Sequence, residues 1–124
     1  NESFDGLLTG FHDWGTWWQG EIAGGYFVSN SNLVSHQLRL QAEPTESVST
    51  GFLLYDFRLD EPAAAGVTAE DVAYELDWYL DWTLNENVTL TLTAAFADPQ
   101  LAVEQNIRRT ANFRYGMVFI AYSY

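Results

Sequence analysis

The stretch YELDWYLDWTL (residues 74–84) alternates apolar and polar side chains, and three of its polar positions are acids. Period-two alternation predicts a β-strand with two chemically different faces. In a soluble sheet the apolar face packs into a core and the acidic face meets water. In a transmembrane β-barrel the apolar face meets lipid and the acidic face lines a wet lumen. The two faces would be formed by Tyr74, Leu76, Trp78, Leu80, Trp82 and Leu84, and by Glu75, Asp77, Tyr79, Asp81 and Thr83.

The composition narrows the class of protein and of partner. The length of 124 residues fits one domain or part of one. Seventeen acids against five basic residues, all of them Arg, give a formal net charge of −12. Because phosphate binding needs a basic surface, this charge argues against a nucleic-acid partner. The lack of cysteine excludes disulfides and thiolate metal sites, and we expect no cofactor and no bound metal.

Four further segments alternate with the same period: 33–42, 48–59, 88–97 and 113–124. All five segments are ten to twelve residues long. Strands of soluble proteins cluster near about five or six residues, whereas a tilted strand needs about 9–11 to cross a bilayer. The segment lengths therefore favour an all-β, antiparallel transmembrane barrel over a soluble sheet.

The connections between these segments alternate in length. Segments 43–47 and 85–87 are tight turns, whereas 60–72 and 98–112 are long. Short turns on one rim and long loops on the other are typical of outer-membrane barrels. In DWGTWWQGEIAGGYF (residues 13–27) the apolar residues fall at helical spacing, which predicts a short amphipathic helix. We therefore predict an extracellular loop with a short helix over 1–32 and five antiparallel transmembrane strands over 33–124.

Several motifs resemble a known family. They are WGTWWQGEI, SNSNLVSHQLRL, LYDFRLDEPAAAGVT, ELDWYLDW, AAFADPQLAVEQ and the terminal YGMVFIAYSY. In this order, and with Tyr124 last, they resemble the C-terminal segment of the alginate-export family of outer-membrane β-barrel proteins. The resemblance implies a porin-like barrel of roughly eighteen strands in the bacterial outer membrane. It also implies transport of a polysaccharide or another solute, without catalytic residues.

The chain departs from this family in charge and in strand number. A pore for polyanionic alginate would be lined by Arg and Lys, whereas this segment is acidic, so the sequence does not predict alginate itself as the solute. Five strands cannot close a barrel, because single-chain barrels start at about eight. We expect the remaining strands to come from the same, longer chain or from other copies. The other expected partners are outer-membrane lipid and the transported solute.

The alternation also assigns candidate site residues. Arg58 could pair across the sheet with Asp77 or Glu75, and Arg39 with Asp56 or Asp60. Such a belt would favour cations or hydroxyl-rich solutes, although charges that only hydrate the wall would give the same pattern. The predicted pore-lining residues are Arg39, Asp56, Arg58, Asp60, Glu75, Asp77 and Asp81. The predicted lipid-facing residues are Leu76, Trp78, Leu80, Trp82, Tyr122 and Tyr124.

Two other function classes fit part of the pattern. Paired carboxylates about 5–9.5 Å apart would suit a glycosidase, whereas Asp77 and Asp81 would lie about 13 Å apart along a strand. Asp56 or Asp60 facing Asp77 could come closer, but nothing in the sequence distinguishes such a pair from a ladder of ion pairs, so we predict no enzyme. A secreted β-sandwich that binds carbohydrate would explain the acidity and the tryptophans. A sandwich must bury the face of Leu76, Trp78 and Leu80 against a second sheet, and this requirement separates it from a barrel.

Overall fold

The computed structural model describes residues 20–23, 32–108 and 111–124. Its main feature is a five-stranded antiparallel sheet whose strands follow one another in chain order. The all-β, antiparallel prediction is therefore confirmed. The strands are β1 (Leu33–Thr45), β2 (Val48–Leu59), β3 (Asp71–Asn85), β4 (Val88–Pro99) and β5 (Phe113–Tyr122).

Every predicted strand is present, and the ends differ from the prediction by three residues or fewer. Two helical segments occupy stretches predicted as loops: a 3-10 helix (Pro62–Ala65) and helix α1 (Leu101–Ile107). Helix α1 ends where Arg108 adopts a left-handed conformation with φ 54°. The amphipathic helix predicted near the N-terminus lies largely outside the described residues, of which 20–23 form a turn.

The short and long connections lie at opposite ends of the strands, as predicted. Two-residue turns at 46–47 and 86–87 join β1 to β2 and β3 to β4. The long connections carry the 3-10 helix and α1, and Gln105 of α1 accepts a hydrogen bond from the backbone N–H of Thr68 (2.8 Å). The sheet is open, because β1 and β5 form its two edges within the described ranges. No helix of the described residues is long and apolar enough to cross a membrane.

The two faces of the sheet differ in burial. We call the face that contains Glu75, Asp77 and Asp81 the acidic face, and the opposite one the apolar face. On the acidic face, Glu75 and Asp77 are buried, at 3% and 0% exposure. On the apolar face, large hydrophobic side chains are exposed, including Leu38, Leu40, Phe52, Leu54, Leu76, Trp82, Val118, Ile120 and Tyr122.

A compact core lies on the acidic face toward the long connections. Its centre is Phe57, which is fully buried and stacks on Tyr55 with ring centroids 5.3 Å apart. Ala102 and Val103 of α1 and Val67 of the preceding connection pack into the same cluster. This core packs α1 and the connection between β2 and β3 against the sheet.

Gly51 of β2 lies directly opposite Tyr79 of β3. A Cβ atom at Gly51 would lie 2.7 Å from Cε1 of Tyr79 and 2.7 Å from the backbone oxygen of Leu40. Real Cβ atoms do not approach other atoms this closely, and the backbone oxygen cannot move without disturbing the β1–β2 ladder. The Tyr79 ring therefore occupies the space that only a glycine leaves open.

We expect Gly51→Ala to lower the free energy of unfolding by about 1–3 kcal/mol, the usual cost of overpacking. The matched control is Gly116→Ala in β5, where an added Cβ would find only one atom, the Thr93 oxygen at 3.9 Å. Denaturant titration of both variants measures the difference. Equal stability of the two variants would contradict the close approach of Tyr79 to Gly51.

Candidate functional site

The predicted lipid-facing residues of β3 share one face. Leu76, Trp78, Leu80 and Trp82 alternate with the acids, and Tyr122 of β5 belongs to the same face. Trp82 is 44% exposed and Tyr122 is 68% exposed. Tyr124 follows the end of β5, and its ring stacks on that of Tyr122 at 6.5 Å. These six side chains therefore form part of one continuous apolar surface.

The apolar surface has a height that can be compared with a bilayer. On β3 it runs from Tyr74 to Leu84, which is about 33 Å along the strand. If the strands were tilted by about 40°, as in a barrel, this length would project to about 25 Å, the height of the lipid-facing band of an outer-membrane barrel. Aromatic side chains lie near both ends, Tyr74 at one and Trp82 with Tyr122 at the other. Aromatic girdles at both interfaces are typical of such bands.

The polar atoms in the middle of this face are satisfied locally. The indole N–H of Trp78 donates to Oγ1 of Thr50 (3.0 Å), and the Thr50 hydroxyl donates to the backbone oxygen of Tyr79 (2.6 Å). A hydrocarbon environment offers no hydrogen-bond partner, so polar groups within it must be satisfied by the protein itself. The pair of Trp78 and Thr50 meets that condition.

Asp56 and Arg58 lie on the apolar face, so the prediction that they share a face with Glu75 and Asp77 is wrong. Asp56 stands opposite Tyr74 in the ladder, and Arg58 pairs with Asp56 at 3.0 Å and with Asp71 at 3.7 Å. The predicted ion pairs of Arg58 with Asp77 or Glu75 are therefore also wrong. The cause is the sequence FLLYDF of β2, which carries apolar residues on both faces and so does not reveal the strand's orientation.

A groove of about 560 Å³ opens at the long-connection end of the apolar face. Charged and apolar side chains meet in this groove, because Asp56 lies beside large apolar side chains of the same face. His36 lies 3.9 Å from Asp56 across the two strands. The side chains of the apolar face that line the groove are His36, Leu38, Leu54, Asp56, Tyr74, Leu76, Phe96 and Asp98.

The remaining predicted pore-lining residues occupy different positions. Arg39 and Asp81 lie on the acidic face, whereas Asp60 lies just beyond β2 and is exposed. Arg39 donates to Gln41 (2.8 Å) and, at 3.4 Å, to the Tyr79 hydroxyl, so its predicted pairing with Asp56 or Asp60 is wrong. The hydroxyl of Thr91 in β4, the residue opposite Asp81, donates to Oδ1 of Asp81 (2.6 Å).

Glu75 and Asp77 contact a segment that the sequence did not indicate. The backbone N–H groups of Ile22 and Ala23 donate to Oε1 and Oε2 of Glu75 at 2.6 and 2.7 Å. The N–H of Glu21 donates to Oδ2 of Asp77 at 3.0 Å. Three successive amides of one turn thus donate to both oxygens of Glu75 and to Oδ2 of Asp77, which lowers the cost of burying these carboxylates, whereas Oδ1 of Asp77 is buried without a partner among the described residues. Backbone amides occur in every residue, so no residue type in the sequence marks this contact.

The acidic pair has no cationic side chain beside it in the described part of the chain, where every ion pair involves Asp56 or Asp71. Within the same residues, no group of three or more His, Cys, Asp or Glu side chains is placed to hold a metal ion. The carboxylates of Glu75 and Asp77 act as acceptors for a turn of the chain, and this is the chemistry that their geometry supports.

Comparison of the chain with protein-family models, with curated proteins and with solved structures gives no match. The resemblance to the alginate-export family therefore stays a prediction.

Proposed function

We propose that this chain is a segment of a bacterial outer-membrane β-barrel channel, with its apolar face toward lipid and its acidic face toward a solute path. The observation that carries the proposal is the exposed apolar face, which extends across five strands and, at the tilt of barrel strands, would match the height of a lipid-facing band. Soluble proteins rarely expose apolar patches larger than a few hundred Å². A surface of this extent implies a partner, and lipid matches its height and its aromatic rims.

A secreted β-sandwich is the less suitable class, because it needs a second sheet to cover the apolar face. The described residues form one sheet. Helix α1 packs on β3 and β4 from the acidic side, and its residue Val103 belongs to the core around Phe57. The open edges at β1 and β5 agree with a larger barrel, in which further strands would pair with both edges.

The acidic face near the short turns suits a polar or ionic solute. Arg39 and Gln41 are exposed there, and Asp81 is half-buried. Gln41 accepts a hydrogen bond from Arg39 and donates to Ser49 (3.3 Å). Such a row of donors and acceptors can exchange hydrogen bonds with hydroxyl-rich molecules, which is why we include polysaccharides with small polar solutes as the transported class.

Two adjacent residues of β1 provide a direct test of the two faces. Leu40 is 56% exposed on the apolar face, and Gln41 is exposed on the acidic face. These 124 residues contain no cysteine, so Leu40→Cys and Gln41→Cys each place a single thiol within them. In the membrane-inserted protein we expect a water-soluble maleimide to label Gln41→Cys only. A fluorophore attached to Leu40→Cys before reconstitution should be quenched only by lipid-borne quenchers.

Equal labelling of both thiols by the aqueous reagent, in a protein that stays soluble without detergent, would contradict a membrane location. If the faces behave as expected, conductance of the protein in planar bilayers tests the channel itself. A membrane-inserted protein that conducts no ions would limit the proposal to a membrane barrel without a transport role.

A further inference from the structure

The turn Gly20–Ala23 lies on the acidic face. Its first residue is a glycine, so no side chain separates the backbone from the sheet there. Gly20 has φ 71°, and a Cβ atom there would lie 2.7–2.8 Å from the carboxylate atoms of Glu75. The backbone conformation therefore favours glycine at this position, and a larger residue would also have to displace the carboxylate of Glu75. Because the turn lies this close to the sheet, the backbone N–H groups of the next three residues are within hydrogen-bond distance of Glu75 and Asp77.

Apolar contacts fix the same turn on both sides of the carboxylates. Ile22 is 1% exposed and packs with Ala95 and Ala97 of β4. Ala23 is fully buried and belongs to the cluster around Phe57. The turn therefore covers the middle of the sheet, because Glu75 lies opposite Tyr55 of β2 and Ala97 of β4.

We propose that the turn Gly20–Ala23 is a fixed constriction of the channel, held in place by Glu75 and Asp77 as positioning residues. This inference rests on the proposed channel function. It changes the expected lining of the solute path, because Glu75 and Asp77 are covered by the turn. The polar side chains of this wall that remain for the solute include Gln37, Arg39 and Gln41, with Asp81 partly accessible.

Glu75→Gln tests the role of the carboxylate with almost no change in shape. Both oxygens of Glu75 accept an N–H, whereas a glutamine keeps one oxygen and presents an NH₂ group to the other amide. Asp81→Asn is the matched control, because it removes one charge from the same face of the same strand without a contact to the turn. A second variant, Gly20→Ala, displaces the turn from its own side and leaves the charge of the sheet unchanged.

Two measurements follow the turn independently. The first is the rate at which a water-soluble maleimide labels Ile22→Cys, a position that is buried while the turn is seated. We expect Glu75→Gln to raise this rate by about tenfold or more, the factor for losing one hydrogen bond to a charged group, and Gly20→Ala to raise it by displacing the turn. The second is single-channel conductance, which should rise in both variants and should not rise in Asp81→Asn, because that variant removes a charge from the wall and leaves the turn in place.

The outcomes separate the two proposals. Wild-type conductance with an unchanged labelling rate in both variants would overturn the constriction and leave the channel intact. An equal change of conductance in Glu75→Gln and Asp81→Asn, with Ile22→Cys still protected, would mean that charge alone acts, and this also overturns the constriction. The lack of any wild-type conductance would overturn the channel function and the constriction with it. Should Glu75→Gln fail to insert, Gly20→Ala decides, because it changes no residue of the sheet.

Discussion

Leu80→Arg is expected to lower the free energy of unfolding in lipid bilayers by about 2–4 kcal/mol, the cost of an arginine on the lipid face near the bilayer midplane. Leu80 lies near the centre of the apolar band between Tyr74 and Leu84, and it stands opposite Thr50 and Leu92. An arginine there must either place its charge in hydrocarbon or reach toward a distant interface. Either route costs stability in lipid, whereas the same change on a water-exposed surface stays within about ±0.5 kcal/mol.

Leu84→Arg is the matched control on the same strand. Leu84 is the last apolar residue before the turn at 86–87, and it is 47% exposed. Near an interface the same substitution costs only about 0–1 kcal/mol, so the difference between the two variants reports depth. The measurement is a denaturant titration of protein refolded into vesicles. A cost at Leu80 no larger than at Leu84 would remove the physical basis for a lipid-facing band.

Phe57→Ala is expected to cost about 3–5 kcal/mol of stability, the range for truncating a buried phenylalanine. Phe57 is fully buried, stacks on Tyr55 and belongs to the cluster that includes Val103 of α1. The truncation leaves a cavity beneath α1 and the connection between β2 and β3. Because this core lies on the acidic face, the expected loss does not depend on the position of lipid.

The matched control for this truncation is Phe119→Ala. Phe119 also lies on the acidic face, but it is in β5 and is 44% exposed, so less buried area is lost. The five tryptophans give a fluorescence signal for denaturant titration of both variants. A Phe57→Ala protein as stable as Phe119→Ala would mean that the cluster around Phe57 is not a packed core.

The sequence predicted the two faces of β3 correctly but not those of β2, and the difference has a physical cause. In β3 the alternation of acids with Trp and Leu leaves one arrangement of faces. In β2, Phe52 and Leu54 on one face are matched by Leu53, Tyr55 and Phe57 on the other. The alternation of side chains then shows that β2 has two faces, but it does not show which of them lies on the same side of the sheet as the acids of β3. The pairing of Leu53 with Asp77 decides it, and this pairing places Asp56 and Arg58 among the apolar side chains.

The sequence by itself determined the five strands, the alternation of short and long connections, and the two faces of β3. Each of these follows from local rules, namely side-chain period, strand length and turn composition. Only the tertiary structure decided that Glu75 and Asp77 are buried rather than wet. Their partners are backbone amides at Glu21, Ile22 and Ala23, more than fifty residues away in the chain. Because every residue carries such an amide, a contact of this kind leaves no signature in the sequence.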